Sequence, residues 1–271
     1  MGSSLNGFLE LQWFYLQHNA QLGLSMKLLN SFKLTGTTAQ STMKKSLHDI
    51  SAMHSWQHPL ALRRLAIEAQ LEMSDEAFLS RGGSREQKIQ EALVGSTFLL
   101  VFRRIVWPVL GRMAKINEEA LDMEAIGGNG TISSFEITAA YVPGYRIRQA
   151  YKDGNRPEIP QSAFTGNPIS AEWVASSILN KTEKIRGKGM RRHLLVYNNI
   201  SGGTTDFHRL PSLLGNAKDE WDSIWVIAGI PDSGYVALVA NSIGLKSDLR
   251  IPPTFWGYSI DRSGVRIFGQ F

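Results

Sequence analysis

Length, composition and charge narrow the possibilities: 271 residues, 43% of them hydrophobic, suffice for one large domain or two smaller ones with a sizeable core. The chain has no cysteine, which excludes disulfides, thiolate metal sites and cysteine nucleophiles, so any metal must take oxygen or imidazole ligands. The 29 Lys and Arg residues exceed the 24 Asp and Glu residues, and the net charge of +5 favours a polyanionic partner.

The sequence predicts neither a targeting signal nor a membrane-spanning segment. Residues 1–15 lack the basic start and the small-residue cleavage site of a secretory signal. Asn6 stands where a myristoylation signal needs Ser or Thr. The most apolar run, residues 92–102, is far shorter than the ~20 residues that a spanning helix needs. A cytoplasmic protein is therefore expected.

Residues 8 to about 80 carry the spacing of amphipathic helices. Pro59 is predicted to open one of these helices, with apolar residues recurring from Leu60 to Ala69. We therefore predict a helical N-terminal region over residues 1–83, which is a candidate docking part for a protein partner.

Two histidines in this region, His54 and His58, are four residues apart and could share a helix face as metal ligands. No third ligand follows at a recognisable zinc spacing, and Pro59 comes directly after the pair. A surface or packing role is therefore the favoured interpretation for both side chains.

A long helix and a β-hairpin are predicted next. A capping-box pattern at Ser84 predicts a helix over residues 85–107, ended by the following proline. The middle of this helix is apolar on nearly all sides, so it should be buried on more than one face. Residues 120–126 and 131–141 are strand-like, and the intervening Gly-Gly-Asn-Gly at 127–130 is a strong hairpin signal.

The C-terminal half alternates loops, helices and strands. Residues 143–168 are rich in Gly, Pro and polar residues and predict a long loop. The elements predicted after this loop are a helix over 171–187, a strand over 193–198, a short helix over 210–214, strands over 224–229 and 235–240, and a hairpin of 258–260 with 265–267. This order predicts an α/β or α+β fold with a mixed central sheet flanked by helices.

Acidic residues on the predicted helix and hairpin carry a family resemblance. Glu91 lies on the helix, Asp122 on the first hairpin strand and Glu136 on the second. Helix, hairpin, helix and strand with acids at these places resemble the PD-(D/E)XK nuclease superfamily over about residues 84–229. The resemblance implies a restriction-endonuclease-like domain over residues 84–271, which would hydrolyse phosphodiester bonds in nucleic acid.

The resemblance also implies a metal site. In that superfamily the acids bind one or two divalent ions, which activate water and neutralise charge on the scissile phosphate. Asp122 and Glu136 would be the metal ligands, and Glu91 would be a further ligand or assist them. Carboxylate oxygens suit Mg²⁺ or Mn²⁺.

The lysine of the superfamily pattern is missing from its usual place, where this chain has Thr138. The superfamily sometimes places this lysine on the following helix, where Lys184 and Lys181 are available. These two residues are three apart and share a helix face. Lys184 is the first choice and Lys181 the second for the group that would orient the attacking water or stabilise charge on the phosphate.

Two groups of basic residues are predicted to contact nucleic acid, with DNA as the first expectation. Lys and Arg neutralise phosphates, and neighbouring tyrosines can stack on bases. The predicted contacts are Arg146, Arg148 and Lys152 in the loop, and Lys188, Arg191 and Arg192 after the helix. For the second group the competing interpretation is a solvated helix end, where basic residues are common.

Two further interpretations stay open. Asp122, Glu124 and Glu136 could be no more than the solvated face of a hairpin. The missing strand lysine is consistent with a catalytically inactive module of the same fold, which would bind nucleic acid or a protein partner in a larger assembly.

Overall fold

The structure is a computed structural model, and it describes part of the chain. The described ranges are 50–73, 84–115, 121–141, 170–187, 192–198, 206–229, 232–243, 245, 253–261 and 264–270. All of them belong to one compact unit, His48–Phe271. The helical pattern predicted before residue 50 and the predicted loop 143–168 lie outside the described residues.

A mixed β-sheet forms the centre of this unit, as predicted. Its eight described strands lie side by side in sequence order. They are β1 (Val109–Met113), β2 (Met123–Gly127), β3 (Ile132–Ala140), β4 (His193–Asn198), β5 (Ser223–Ala228), β6 (Ser233–Asn241), β7 (Thr254–Asp261) and β8 (Gly264–Gln270). Strands β3, β4 and β5 are parallel to one another, whereas all other neighbours are antiparallel.

Helices cover both faces of the sheet. The described α-helices are α1 (Pro59–Leu71), α2 (Ser84–Ile105), α3 (Ser170–Ile185) and α4 (Leu210–Leu214), with short 3₁₀ helices at Ile50–His54, Phe207–Arg209 and Gly215–Glu220. Helices α1 and α2 share one hydrophobic core with the sheet, and α3 and α4 share the other. None of the described helices is long and apolar enough to cross a membrane.

The two cores explain why β4 has an apolar side chain at successive positions. Leu194 and Val196 enter the core under α3, while Leu195 enters the core under α2. A strand buried on both faces has no polar side to alternate with, so a continuous apolar run results. The predicted strand over residues 193–198 is confirmed at both ends.

Helix α2 packs between α1 and the sheet, which confirms that it is buried on more than one face. Phe98 and Phe102 of α2 contact Phe135 of β3 and Trp225 of β5, with ring centroids 5.4–6.0 Å apart. Edge-to-face contacts of this kind fix the helix on the sheet. Helix α1 lies before the predicted boundary at residue 84 and nevertheless shares the core of α2.

The predicted hairpin is confirmed, and one strand was missed. β2 and β3 pair antiparallel, and the Gly127 amide donates to the Thr131 carbonyl across the turn at 2.9 Å. Strand β1 follows directly after α2 and pairs with β2. Its five residues include Gly111 and Arg112, so no apolar alternation marks it in the sequence.

Candidate functional site

The carboxylate of Asp122 is anchored immediately before β2. The Asp122 amide donates to the Phe135 carbonyl at 3.1 Å, and the Asp122 carbonyl accepts from the Ala114 amide at 3.0 Å. Its side-chain Oδ2 accepts a hydrogen bond from the Ile137 amide at 2.7 Å. The two backbone contacts place Asp122 between neighbouring strand segments, and the Ile137 amide holds its carboxylate.

Glu136 is directed to the face of the sheet opposite its neighbours Phe135 and Ile137. Those two side chains enter the core under α2, whereas Glu136 meets Lys181 of α3. Lys181 Nζ lies 2.6 Å from Glu136 Oε2. Glu136 Oε1 accepts from the guanidinium of Arg192, which is buried just before β4. Both oxygens of this buried carboxylate thus have a cationic partner.

Helix α2 supplies the third acid. Glu91 is buried, and its Oε1 accepts from Gln87 Nε2 at 2.7 Å. Lys88, one turn before Glu91, places its Nζ 2.9 Å from Glu91 Oε2 and 3.2 Å from Asp122 Oδ1. One ammonium group therefore connects the helix acid with the strand acid.

These residues form a continuous network, which we call the charged cluster. Lys181 Nζ completes the network at 3.7 Å from Asp122 Oδ2. The members, in order of contact, are Glu91, Lys88, Asp122, Lys181, Glu136 and Arg192. Three acids alternate with three bases, as expected for charges removed from solvent, where each needs a partner.

The pKa values of Glu91 and Lys88 are both raised, but for different reasons. Burial raises the pKa of Glu91, and the charge of Asp122 raises it further, against the opposing effect of Lys88 and Gln87. Burial by itself would lower the pKa of Lys88, but Glu91 and Asp122 outweigh it and raise this pKa above its usual value. Positive charge is therefore favoured between Glu91 and Asp122.

The structure brings together most of the residues predicted to be catalytic. Glu91, Asp122, Glu136 and Lys181 all belong to the charged cluster. Lys184, the first choice for the lysine, is exposed, and in the described part of the chain no ion pair joins it to Asp122 or Glu136.

Two members of the cluster were not predicted in these roles. Lys88 was missed, although its spacing of three residues from Glu91 on a helix was a usable signal. Arg192 was predicted to contact nucleic acid, but its side chain is 2% exposed and paired with Glu136. A guanidinium in this position does not face an external phosphate.

The hairpin acids do not form a solvated face. Glu124 and Glu136 are both buried, and Glu124 pairs with Arg112 at 2.5 Å. Arg112 in turn lies over the ring of Trp56, 5.4 Å from its centroid. The simple surface interpretation of these carboxylates is therefore wrong.

His54 and His58 have structural partners, in agreement with the packing role. His58 Nδ1 accepts from the Leu60 amide at 3.1 Å and caps the start of α1. Burial lowers the pKa of His58, and nearby Arg103 adds to this effect, so the neutral ring that a cap requires is favoured. His54 Nδ1 lies 3.0 Å from the Met113 carbonyl.

Several predicted contacts stay predictions, because Arg146, Arg148, Lys152, Lys188 and Arg191 lie outside the described residues. Within the described ranges, no three Asp, Glu or His side chains are gathered into a metal-binding group, since lysines separate the acids.

No family model matches the chain, and no curated protein matches it. The charged cluster is therefore the feature of this chain that bears on function.

Proposed function

We propose that this chain is a metal-dependent nuclease that hydrolyses phosphodiester bonds in nucleic acid, with the charged cluster as its active site. The observation that carries the proposal is the position of Lys181. Its Nζ, projecting from α3, contacts Glu136 at 2.6 Å and Asp122 at 3.7 Å. A lysine from the following helix thus lies beside both hairpin acids, which is the arrangement that the PD-(D/E)XK resemblance implies.

The order of elements supports the same proposal. Helix α2 carries one acid, the β2–β3 hairpin carries two, α3 carries the lysine, and β4 returns beside β3 in the parallel direction. A restriction-endonuclease-like fold for this part of the chain, and nucleic acid as its partner, are parts of the proposal.

The donor set is suitable for a divalent cation. Asp122 and Glu136 would hold Mg²⁺ or Mn²⁺, with Glu91 as a further or indirect ligand, because hard carboxylate oxygens suit these ions. When bound, such an ion supplies activation of water and charge neutralisation at the phosphate.

The other side chains have roles that follow from their contacts. Lys181 is partly exposed and would move aside for the ion while staying near the two acids, where it would orient the attacking water or stabilise negative charge on the phosphate. Arg192 fixes the carboxylate of Glu136 from the buried side. The Ile137 amide likewise holds the carboxylate of Asp122, by donating a hydrogen bond to its Oδ2.

The alternative is a catalytically inactive module that binds nucleic acid or a protein partner. It is favoured by one observation, namely that each acid in the charged cluster already has a basic partner. An alternating set of this kind balances its own charges. Thr138 in place of the strand lysine points the same way.

Cleavage assays distinguish the two functions. The purified protein is incubated with supercoiled, linear and single-stranded DNA and with RNA, in Mg²⁺ or Mn²⁺. Wild type should cleave at least one of these substrates, whereas Asp122→Asn and Glu136→Gln should each lose roughly 100-fold or more of that activity. Nucleic-acid binding is measured in parallel, so that loss of cleavage is separated from loss of binding.

Glu124→Gln is the matched control, because Glu124 is a buried carboxylate on the same hairpin that pairs outside the cluster. It should retain most of the wild-type cleavage. Absence of cleavage by wild type, with undiminished binding by both cluster variants, would contradict the nuclease and favour the binding module.

A further inference from the structure

Lys88 occupies a defined cation position within the charged cluster. Its Nζ lies 2.9 Å from Glu91 Oε2 and 3.2 Å from Asp122 Oδ1, and its side chain is 13% exposed. The resemblance assigns no lysine to this helix. The resemblance therefore does not explain the role of Lys88.

The two oxygens of Asp122 divide the cluster into two cation positions. Oδ1 faces Lys88 and, beyond it, Glu91. Oδ2 faces Lys181 and, beyond it, Glu136. Two cations therefore flank one carboxylate, and in this respect the cluster resembles a site for two metal ions.

The two positions are not equivalent. Lys88 is the more buried lysine, and both of its ion-pair distances are close to hydrogen-bond length. Lys181 is 21% exposed, and its contact with Asp122 is longer at 3.7 Å. Displacing Lys88 would leave an ammonium group without its partners in a poorly solvated place, which costs more than moving a partly exposed lysine.

We propose that Lys88 is a resident cation that takes the place of a second metal ion, so that the protein binds a single divalent ion between Asp122 and Glu136. Because that ion belongs to the proposed nuclease, the inference rests on the proposed function. The ammonium group is tethered to α2 and needs no recruitment from solution. It neutralises Glu91 and Oδ1 of Asp122 in the metal-free protein and in the metal-bound protein alike.

Counting bound ions tests this role without any activity measurement. Mn²⁺ is titrated into the full-length wild-type protein and into Lys88→Met, and bound Mn²⁺ is counted from the loss of the free-ion paramagnetic resonance signal. Wild type should bind one Mn²⁺ per chain. Lys88→Met should bind two, because removal of the ammonium leaves Glu91 and Asp122 without their cation.

Two further variants serve as controls. Lys218→Met removes a lysine from the 3₁₀ helix Gly215–Glu220, outside the cluster, and should leave the count at one. Lys88→Arg keeps a positive charge at the cluster position and should also bind one ion. Urea unfolding of each variant establishes that the counted protein is folded.

The possible outcomes separate the two proposals. Two ions in wild type, or one ion in both wild type and Lys88→Met, would overturn the role of Lys88 and leave the nuclease intact. No Mn²⁺ bound by wild type would overturn the metal-dependent nuclease, and the role of Lys88 with it.

Discussion

At the scale of single residues, the choice between two lysines on one helix shows what spacing can and cannot decide. Lys181 and Lys184 share a face of α3, yet only Lys181 contacts Asp122 and Glu136. Three residues of helix advance by about 4.5 Å along the axis. Lys184, one turn further along α3, is exposed, whereas Lys181 faces the hairpin acids, so the packing of α3 on the sheet and not the spacing selects between the two lysines.

Exchanging each lysine in turn tests this difference. Lys181→Met should lower nucleic-acid cleavage by roughly 100-fold, because it removes the cation beside both acids. Lys184→Met should lower it by less than about threefold, because loss of an exposed side chain outside the cluster costs little. Single-turnover cleavage rates at saturating Mg²⁺ measure both effects. Equal losses in the two variants would show that Lys181 has no special role.

At the scale of elements, the β5–β6 connection shows how closely the sheet constrains its backbone. Gly229, at the end of β5, has φ of 79°, a conformation that other residues rarely adopt. Gly234, at the start of β6, leaves no room for a side chain, since an added Cβ would lie 1.9 Å from the Ala228 carbonyl oxygen. Backbone, rather than a flexible side chain, blocks that position.

Gly234→Ala should therefore destabilise the fold, with Gly128→Ala as its control. Relief of the clash requires β5 and β6 to separate, and we expect a loss of about 1–3 kcal/mol in the free energy of unfolding. Gly128 lies in the turn between β2 and β3, and an added Cβ there meets nothing within 4 Å. Gly128→Ala should change stability by less than about 0.5 kcal/mol. Urea unfolding curves of both variants provide the measurement, and a neutral Gly234→Ala would contradict the packing argument.

At the scale of the whole molecule, two helical layers enclose the sheet and remove polar groups of the inner strands from water. His193 of β4 is an example, since it is buried, lies 4.8 Å from the ring of Phe135 and shares the Ser223 hydroxyl with Trp225. Burial lowers the pKa of His193 from 6.5 to about 4. The ring is thus neutral in the folded protein at neutral pH.

This burial makes the fold sensitive to acid within a defined range. The unfolded chain takes up a proton at His193 near pH 6.5, whereas the folded chain does so only near pH 4. Protons therefore favour the unfolded state between these values, and stability falls as pH is lowered through this range. Between about pH 7.5 and pH 5 the contribution should be about 2 kcal/mol.

His193→Gln isolates this contribution, because glutamine retains hydrogen-bonding groups but does not titrate. Urea unfolding of wild type and variant is compared across the same pH range. The wild type should lose more stability on acidification than the variant does. Parallel pH profiles would show that His193 stays neutral in the unfolded chain or becomes charged in the folded one, contrary to its burial.

Much of the local structure could be predicted from the sequence, because its signals are local. The β2–β3 hairpin follows from its Gly-rich turn, and β4 from a continuous apolar run. The alternation of side chains along β3 is enough to separate Glu136 from Phe135 and Ile137. Strand β1 could not be predicted, because only its pairing with β2 makes it a strand.

Apart from β1 and the 3₁₀ helices, the amino-acid sequence alone is sufficient for the order of the described elements. It is also sufficient for the face of β3 on which Glu136 lies, since backbone periodicity is set by neighbouring residues. Only packing in three dimensions determines that Lys181 rather than Lys184 meets the acids, that Lys88 joins Glu91 to Asp122, and that Arg192 turns inward. These contacts depend on how α2 and α3 pack on opposite faces of one sheet. Packing distances between segments that are remote in sequence leave no periodic signal in the chain.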